Sequence, residues 1–259
     1  MERRARWNTL LELLSQEGSL DVATAAEQLG VSPATVRRDF KELAEQDLAT
    51  RTHGGIVATA VAYDLPLRYR SARFASEKQR IGRVAAGLVA PGEVVGLNGG
   101  TTTSEVARAL GARSDLRDAM NTTTVVTNAL NIATELVLRT QFKLVVVGGR
   151  VRTQTYEIIG PLAASMLSEV TLDVAFIGVD GIDPDAGVTS FDEDEAATTA
   201  SMVARARRVV VVADSHKLER RAFANTVALS AVQTLVTDPG ASREQIAAFE
   251  KRGVTVLTE

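Results

Sequence analysis

Val31-Ser-Pro-Ala-Thr-Val-Arg-Arg-Asp-Phe-Lys-Glu-Leu43 spells out a helix together with its start signal. Ser32 is a preferred N-cap residue, and Pro33 at the first helical position sacrifices no hydrogen bond. Val36, Phe40 and Leu43 fall at i, i+4 and i+7, the spacing of one buried stripe. With Val36 at the centre of that stripe, a step of about 100° per residue puts Arg38 and Lys41 on the opposite face, with Arg37 and Thr35 on the flanks. The helix therefore shows water a short polar and basic surface. Upstream, Gly30-Val31 makes a tight turn, and Val22, Ala25, Ala26 and Leu29 mark one face of a short second helix. Trp7, Leu10, Leu11 and Leu14 do the same for a first helix, which Gly18-Ser19 breaks. Downstream, the β-prone runs Leu48–His53 and Gly54–Val57 predict a hairpin whose glycines supply the positive φ of its turn.

Three short helices and a hairpin, over residues 1–57, are the layout of a winged helix-turn-helix. In that reading Ser32, Thr35, Arg37, Arg38 and Lys41 meet the major groove. Arg51 and His53, with Thr52 and Gly54 at the hairpin tip, reach the backbone or the minor groove. Charge does not decide the matter. The whole chain carries −3, and residues 1–57 hold 7 Lys+Arg against 9 Asp+Glu. On periodicity alone the same face also reads as a solvated surface in which Asp39, Glu42 and Glu45 balance the cations.

The residues themselves break the tie. Ser32 to Phe40 matches the pattern S-x-x-T-[IV]-R-R-D-[LF], and Arg51-Thr-His-Gly-Gly follows it. This stretch resembles the N-terminal signature of the DeoR family of bacterial transcriptional regulators. The resemblance implies a winged helix-turn-helix followed by a C-terminal domain that senses a sugar phosphate. It extends past residue 240.

Residues 58–75, with Pro66 and three arginines, show no period and read as a linker. From residue 76 the character changes. Ser76 with Gln79 has capping-box spacing and opens a helix carrying Ile81, Val84, Ala85 and Leu88. Beyond it, Glu93–Leu97, Thr123–Thr127, Phe142–Val147, Asp173–Val179, Arg208–Ala213, Thr234–Thr237 and Val254–Leu257 are short apolar runs alternating with helical stretches. Near-continuous apolar strands separated by helices predict a mostly parallel α/β sheet covered on both faces, residues 76–259.

The strand Val94–Leu97 runs into Asn98-Gly99-Gly100-Thr101-Thr102-Thr103. Thr102 and Glu105 have capping-box spacing, so a helix starts there. Two glycines and three threonines at such a junction supply free N–H groups, hydroxyls and the positive end of a helix dipole, which suits a phosphate. The segment is neither a Walker loop nor a dinucleotide fingerprint, and a purely structural turn is the alternative. Other strand ends add Thr127-Asn128, Gly148-Gly149 and Asp180-Gly181, where ligands of open α/β sheets collect. Gly149 permits close backbone approach, and Asp180 accepts from hydroxyls. The acids Asp192 to Glu195 read first as a helix N-terminus stabilised by its dipole, with a magnesium site as the alternative. Lys217, in Asp214-Ser-His-Lys, is a counter-charge for a phosphate.

In the DeoR family the C-terminal domain looks like a catalytically silent relative of ribose-5-phosphate isomerase. The family pattern is matched by residues 99–103, 126–128, 178–181 and 193–196, and Lys217 is similar to the lysine of the family's A-D-S-x-K motif. The strand-end reading and the resemblance together give effector contacts at Asn98, Gly99, Gly100, Thr101, Thr102, Thr103, Thr127, Asn128, Gly149, Asp180, Glu195 and Lys217. Two departures bear on which effector is bound. Asn98 stands where the family commonly has Asp, and His216 where a small polar residue is usual.

Composition closes other routes. No cysteine and only His53 and His216 leave out thiolate metal sites, disulfides and cysteine nucleophiles. Aromatics are 4%, too few for a base-stacking platform. No apolar run approaches the ~20 residues of a membrane span. The start, MERRARWNTLLELL, soon reaches Glu12 and is no signal peptide, so a cytoplasmic protein is expected. The expectation is a transcriptional regulator, a repressor of sugar or carbohydrate metabolism genes, without catalytic activity, metal or cofactor. Its partners are a double-stranded DNA operator and a phosphorylated sugar, and it forms a homo-oligomer, dimer or tetramer, matching paired half-sites. The rival is a sugar-phosphate isomerase using Asp180-Gly-Ile-Asp183, but residues 184–190 contain no lysine to serve as electrophile. A DNA-binding protein without an effector is the third reading.

Overall fold

The computed structural model describes residues 3–45, 48–57, 67, 74–117 and 122–259, and the chain divides into two compact units, Met1–Arg73 and Phe74–Glu259. Of the expected linker 58–75, only Leu67, Phe74 and Ala75 lie among the described residues.

The first unit runs α1 (Arg3–Glu17), β1 (Ser19–Asp21), α2 (Val22–Leu29), α3 (Pro33–Glu45), β2 (Thr50–Arg51) and β3 (Gly55–Val57). Trp7, Leu10, Leu11, Leu14, Ala25, Leu29, Val36, Phe40 and Leu43 share one core, as their spacing predicts. Two details differ from the sequence reading. Ser19–Asp21 does more than break a helix: it pairs with β3, giving an antiparallel sheet ordered β1-β3-β2. Asp21 then caps α2, accepting from Ala23 N (2.8 Å) and Thr24 N (2.9 Å). The wing glycines also have another role than the one expected, for neither Gly54 nor Gly55 has positive φ. A Cβ on Gly55 would stand 2.1 Å from the Leu20 carbonyl oxygen, so glycine is required by the close approach of β1.

In the second unit α4 (Ala75–Gly87) precedes β4 (Val94–Leu97), α5 (Thr101–Ala112), β5 (Thr123–Thr127), α6 (Leu130–Leu136) and β6 (Phe142–Val146). A hairpin, β7 (Arg150–Arg152) and β8 (Glu157–Ile159), leads to α7 (Pro161–Ser168) and β9 (Val174–Gly178). Next come β10 (Gly181–Asp183), β11 (Gly187–Ser190), α8 (Glu193–Val203), β12 (Val209–Val212), β13 (Ala224–Val227), β14 (Thr234–Thr237), α9 (Arg243–Glu250) and β15 (Thr255–Thr258). The seven predicted strands form one parallel sheet ordered β15-β14-β12-β9-β4-β5-β6. Alternate residues feed opposite cores. Val174, Phe176, Val210 and Val212 pack with α4, α5 and α6, while Ala175, Ile177, Val209 and Val211 pack with α7, α8 and α9. A three-layer α/β/α unit results, with β10, β11 and β13 as a separate antiparallel sheet.

Neither predicted capping box forms. Phe74, in a left-handed conformation, is the N-cap of α4, and the Ser76 hydroxyl donates to Glu77 Oε2 instead. Gly100 is the N-cap of α5, and Glu105 pairs with Arg108. Both helices form nonetheless, because their apolar stripes are buried.

Candidate functional site

On α3, Arg37, Arg38 and Lys41 are exposed and Thr35 is half-buried. Ser32 caps the helix, its hydroxyl accepting from Thr35 N (3.2 Å) and lying 2.9 Å from the Thr35 hydroxyl. The acids expected to balance these cations are turned elsewhere. Asp39 is buried and accepts from Arg6 Nε (2.5 Å), Arg6 Nη2 (2.9 Å) and Trp7 Nε1 (3.0 Å). Hydrogen bonding to Asp39 raises the Arg6 pKa above its ordinary value. Glu42 pairs with Arg3 at 2.6 Å, and only Glu45 answers a cation of the outer face, Lys41, at 3.6 Å. Arg37 and Arg38 form no ion pair among the described residues, so the outward face of α3 is basic although residues 1–57 carry more acidic than basic side chains. Arg51, Thr52, His53 and Gly54 are all exposed at the wing tip.

In the second unit the chain leaves β4 toward β5 and β6 on one side and resumes with β9 on the other. The gap between the ends of β4 and β9 is therefore the topological switch point, where open α/β sheets hold ligands. Asn98, buried, spans it. Its Nδ2 donates to the Gly178 carbonyl (2.9 Å), and its Oδ1 accepts from Gly178 N (2.8 Å). The amide thus holds the two strand ends together.

Beside this clamp, Gly100 (φ 127°, ψ 165°) adopts a conformation open only to glycine. Its carbonyl accepts from Ser104 Oγ (2.6 Å), Ser104 N (3.2 Å) and Thr103 Oγ1 (3.2 Å). Since C=O and N–H of one peptide point opposite ways, pinning this oxygen into α5 turns the Thr101 N–H outward. The first-turn N–H groups of α5 have no intrahelical acceptor, and the helix dipole adds positive potential there. Asn131 Nδ2 donates to Ser104 Oγ (2.7 Å) and supports the arrangement from behind.

Lys217 approaches Asp180, its Nζ 3.8 Å from Oδ1, and Asp180 Oδ2 accepts from Ser190 Oγ (3.2 Å) and Phe191 N (3.1 Å). Thr127 and Asn128 are fully buried. The Thr127 hydroxyl donates to the Leu97 carbonyl (2.8 Å), and Asn128 Nδ2 donates to Glu157 Oε2 and the Ile158 carbonyl, both at 3.1 Å. Asn98, Gly99–Thr103, Thr127 and Asn128 therefore gather at adjoining strand ends, beside Asp180 and Lys217.

Gly149 and Glu195 belong to another network. A Cβ on Gly149 would lie 3.0 Å from Ile158 Cγ2, in the hairpin. Glu195, buried, accepts from the Thr155 hydroxyl and pairs with Arg152 at 3.3 Å. Asp192 caps α8 and pairs with Arg152 at 3.0 Å, while Asp194 pairs with Arg150. The acidic run thus ties the β7–β8 hairpin to α8, and no cluster of metal-ligating side chains occurs among the described residues.

Three buried charged residues escape the sequence reading: Lys78, Glu157 and Asp238, the last accepting from Ser215. Lys78 is 5% exposed on the stripe shared with Ile81, Gly82 and Ala85, so its apolar-face position was a usable signal. Glu157, also 5% exposed, covers Gly99, where a Cβ would lie 2.2 Å from its Cγ. An acid inside the β-prone run Glu157–Ile159 was the clue. Asp183, the second acid of the isomerase-like pair, accepts from Arg221 (2.9 Å) and from Asp185 N and Ala186 N (both 2.8 Å). Arg221 holds its pKa down at about 2, which leaves a poor general base.

Residues 6–60 match the DeoR-like helix-turn-helix domain, and residues 73–239 match the DeoR C terminal sensor domain. The chain belongs to the DeoR family. The glycerol-3-phosphate regulon repressor of Escherichia coli (strain K12) is 35% identical over 92% of each chain. The HTH-type transcriptional regulator GlpR of Haloferax volcanii is 34% identical, covering 99% of this chain and 96% of that one. A ribose 5-phosphate isomerase from Methanocaldococcus jannaschii aligns over 54% of this chain and 52% of its own, with 20% identity and a TM-score of 0.40. This DeoR-family chain is accordingly a DNA-binding transcriptional regulator with a sensor domain, and not an enzyme. No helix among the described residues is long and apolar enough to cross a membrane.

Proposed function

We propose that the chain is a repressor of carbohydrate-metabolism genes whose operator affinity falls when a phosphorylated sugar or polyol binds at the ends of β4, β5 and β9. Residues 1–57 read the operator, residues 76–259 sense the effector, and residues 58–75 join them. The observation that carries this reading is the Gly100 carbonyl, pinned by three donors, which turns N–H groups outward at the switch point beside Lys217. Such a cradle suits a phosphate dianion. Thr101, Thr102 and Lys217 contact the phosphate, Asp180 accepts from a hydroxyl of the carbon chain, and Asn98, Thr127 and Asn128 hold the strand ends that shape the site. Glu195 and Gly149 act through the hairpin. Ser32, Thr35, Arg37, Arg38 and Lys41 face the major groove, and Arg51, Thr52, His53 and Gly54 the adjoining backbone. The relatives' names make sn-glycerol 3-phosphate the first compound to try. The protein acts in the cytoplasm as a homo-oligomer matched to paired half-sites.

Fluorescence anisotropy on DNA from upstream of its own gene, with a panel of phosphorylated and unphosphorylated sugars, tests the reading. Specific binding released by one phosphorylated compound supports it. Thr102→Ala with Lys217→Ala should then keep operator binding and abolish the release. Release by unphosphorylated sugars alone, or no release by any compound, overturns the effector assignment.

A further inference from the structure

The loop after β12 carries two functional groups on consecutive residues. Lys217 reaches Asp180, while His216 stacks on Phe74 with ring centroids 3.8 Å apart and planes inclined by 18°. Ser215 anchors the turn from below. Its N–H and hydroxyl both donate to buried Asp238, at 2.7 and 3.1 Å. The residues Ser215–Lys217 form one 3-10 turn, so Lys217 and His216 move as a unit about this anchor.

Phe74 is held in an uncommon state. It is the N-cap of α4 with φ 52° and ψ 41°, whereas N-cap residues normally adopt extended backbone angles. For a bulky side chain the left-handed region is a strained exception, sustained only by its surroundings. It is also the first residue of the sensor unit, and the chain before it leads to the DNA-binding unit. A cleft of about 470 Å³, lined by Glu77, Arg80, His216, Asp238 and Gln245, leaves the His216 ring room to move.

We infer that the Phe74–His216 stack is the element that couples the effector site to the DNA-binding unit. This inference rests on the proposed effector site. A phosphate competes with Asp180 for the Lys217 ammonium and draws the 3-10 turn toward the glycine loop. The His216 ring then slides off Phe74. Without the stack the left-handed state of Phe74 loses one of its supports, and the first residue of the sensor unit changes its backbone state. The stack is thus a two-state element biased by the ligand, as coupling between sites requires.

The test uses the full chain, an operator fragment and sn-glycerol 3-phosphate. In the unsubstituted protein the compound should raise the operator Kd about tenfold or more. Phe74→Leu and His216→Ser should each reduce that ratio to within about twofold of one, and the double variant should go no further. Calorimetry on the DNA-free protein should find the binding of sn-glycerol 3-phosphate within about threefold of normal in both variants, and Phe74→Tyr, which keeps the stack, should retain the full ratio. Variants that bind both partners and keep the normal ratio overturn the coupling role. Loss of sn-glycerol 3-phosphate binding in either variant overturns it as well, since the stack would then belong to the ligand site. A ratio of one in the unsubstituted protein, with no binding by calorimetry, for sn-glycerol 3-phosphate and for every other phosphorylated compound of the panel removes the effector reading and this inference with it. Binding without a change in ratio removes the inference alone.

Discussion

Asn98 and Gly178, 80 residues apart in sequence, exchange a two-way amide contact across the switch point of the sheet. In this chain the contact uses a side chain that both donates and accepts. A carboxylate accepts from Gly178 N but has no hydrogen to give the Gly178 carbonyl, and the two oxygens would repel. Asn98→Asp should therefore lower stability by about 1–3 kcal/mol and weaken effector binding. Denaturant unfolding and calorimetry on the full chain check both, and unchanged stability in the Asn98→Asp variant would dismiss the clamp.

The basic outer face of α3 leads to a second expectation. Arg38→Ala should cost about 1–3 kcal/mol of operator binding while leaving effector binding unchanged. Anisotropy at several salt concentrations separates its roles: loss of one phosphate contact reduces the salt slope by about one, whereas loss of a base contact relaxes sequence preference.

Buried Asp39 holds the helix that carries those arginines. Asp39→Ala leaves Arg6 and Trp7 Nε1 without their partner, and breaking such a pair costs about 3–5 kcal/mol. Trp7 is the sole tryptophan, so its fluorescence follows the DNA-binding unit alone. Its unfolding transition should shift to lower denaturant, whereas thermal unfolding of the sensor unit, followed by circular dichroism, should not move.

Asp183 makes a prediction in pH. Its pKa is lowered from 3.8 to about 2, chiefly by Arg221. A depressed carboxyl contributes stability above its unfolded pKa and loses it as pH falls through 3.8 toward 2. Because Arg221 is 59% exposed, the contribution is discounted to about 1–2 kcal/mol. Unfolding free energies at pH 6 and pH 3 should differ less in Asp183→Asn than in the unsubstituted protein; equal differences would refute the pairing.

The acidic run offers a last check. With Asp192 and Glu195 paired to Arg152, and Asp194 to Arg150, added magnesium should leave the melting temperature unchanged. Arg152→Ala should destabilise the sensor unit, because it leaves buried Glu195 beside Asp192 without their shared cation.

Short-range pattern is enough for much of this protein. Apolar runs specify all seven parallel strands, and the 3.6-residue stripe specifies the three helices of residues 1–57 and the helix after residue 76, because each signal records which faces must leave water. The match from Ser32 to Phe40 likewise identifies the DNA-binding half. Burial alone, however, does not name a partner. In sequence Asp39 reads as a surface counter-charge to Arg37 and Arg38, yet its ligands are Arg6 and Trp7, more than 30 residues earlier. Asn98 reads as a ligand contact and is a strand clamp, Glu195 reads as an effector residue and braces a hairpin, and Glu157, a lone acid in a β-prone run, covers Gly99. Elements, class of fold and family are thus written locally along the chain. Which polar group satisfies which is settled only on folding, because a buried donor or acceptor must find its partner in space, and the sheet brings together strand ends that lie 30 and 80 residues apart in sequence.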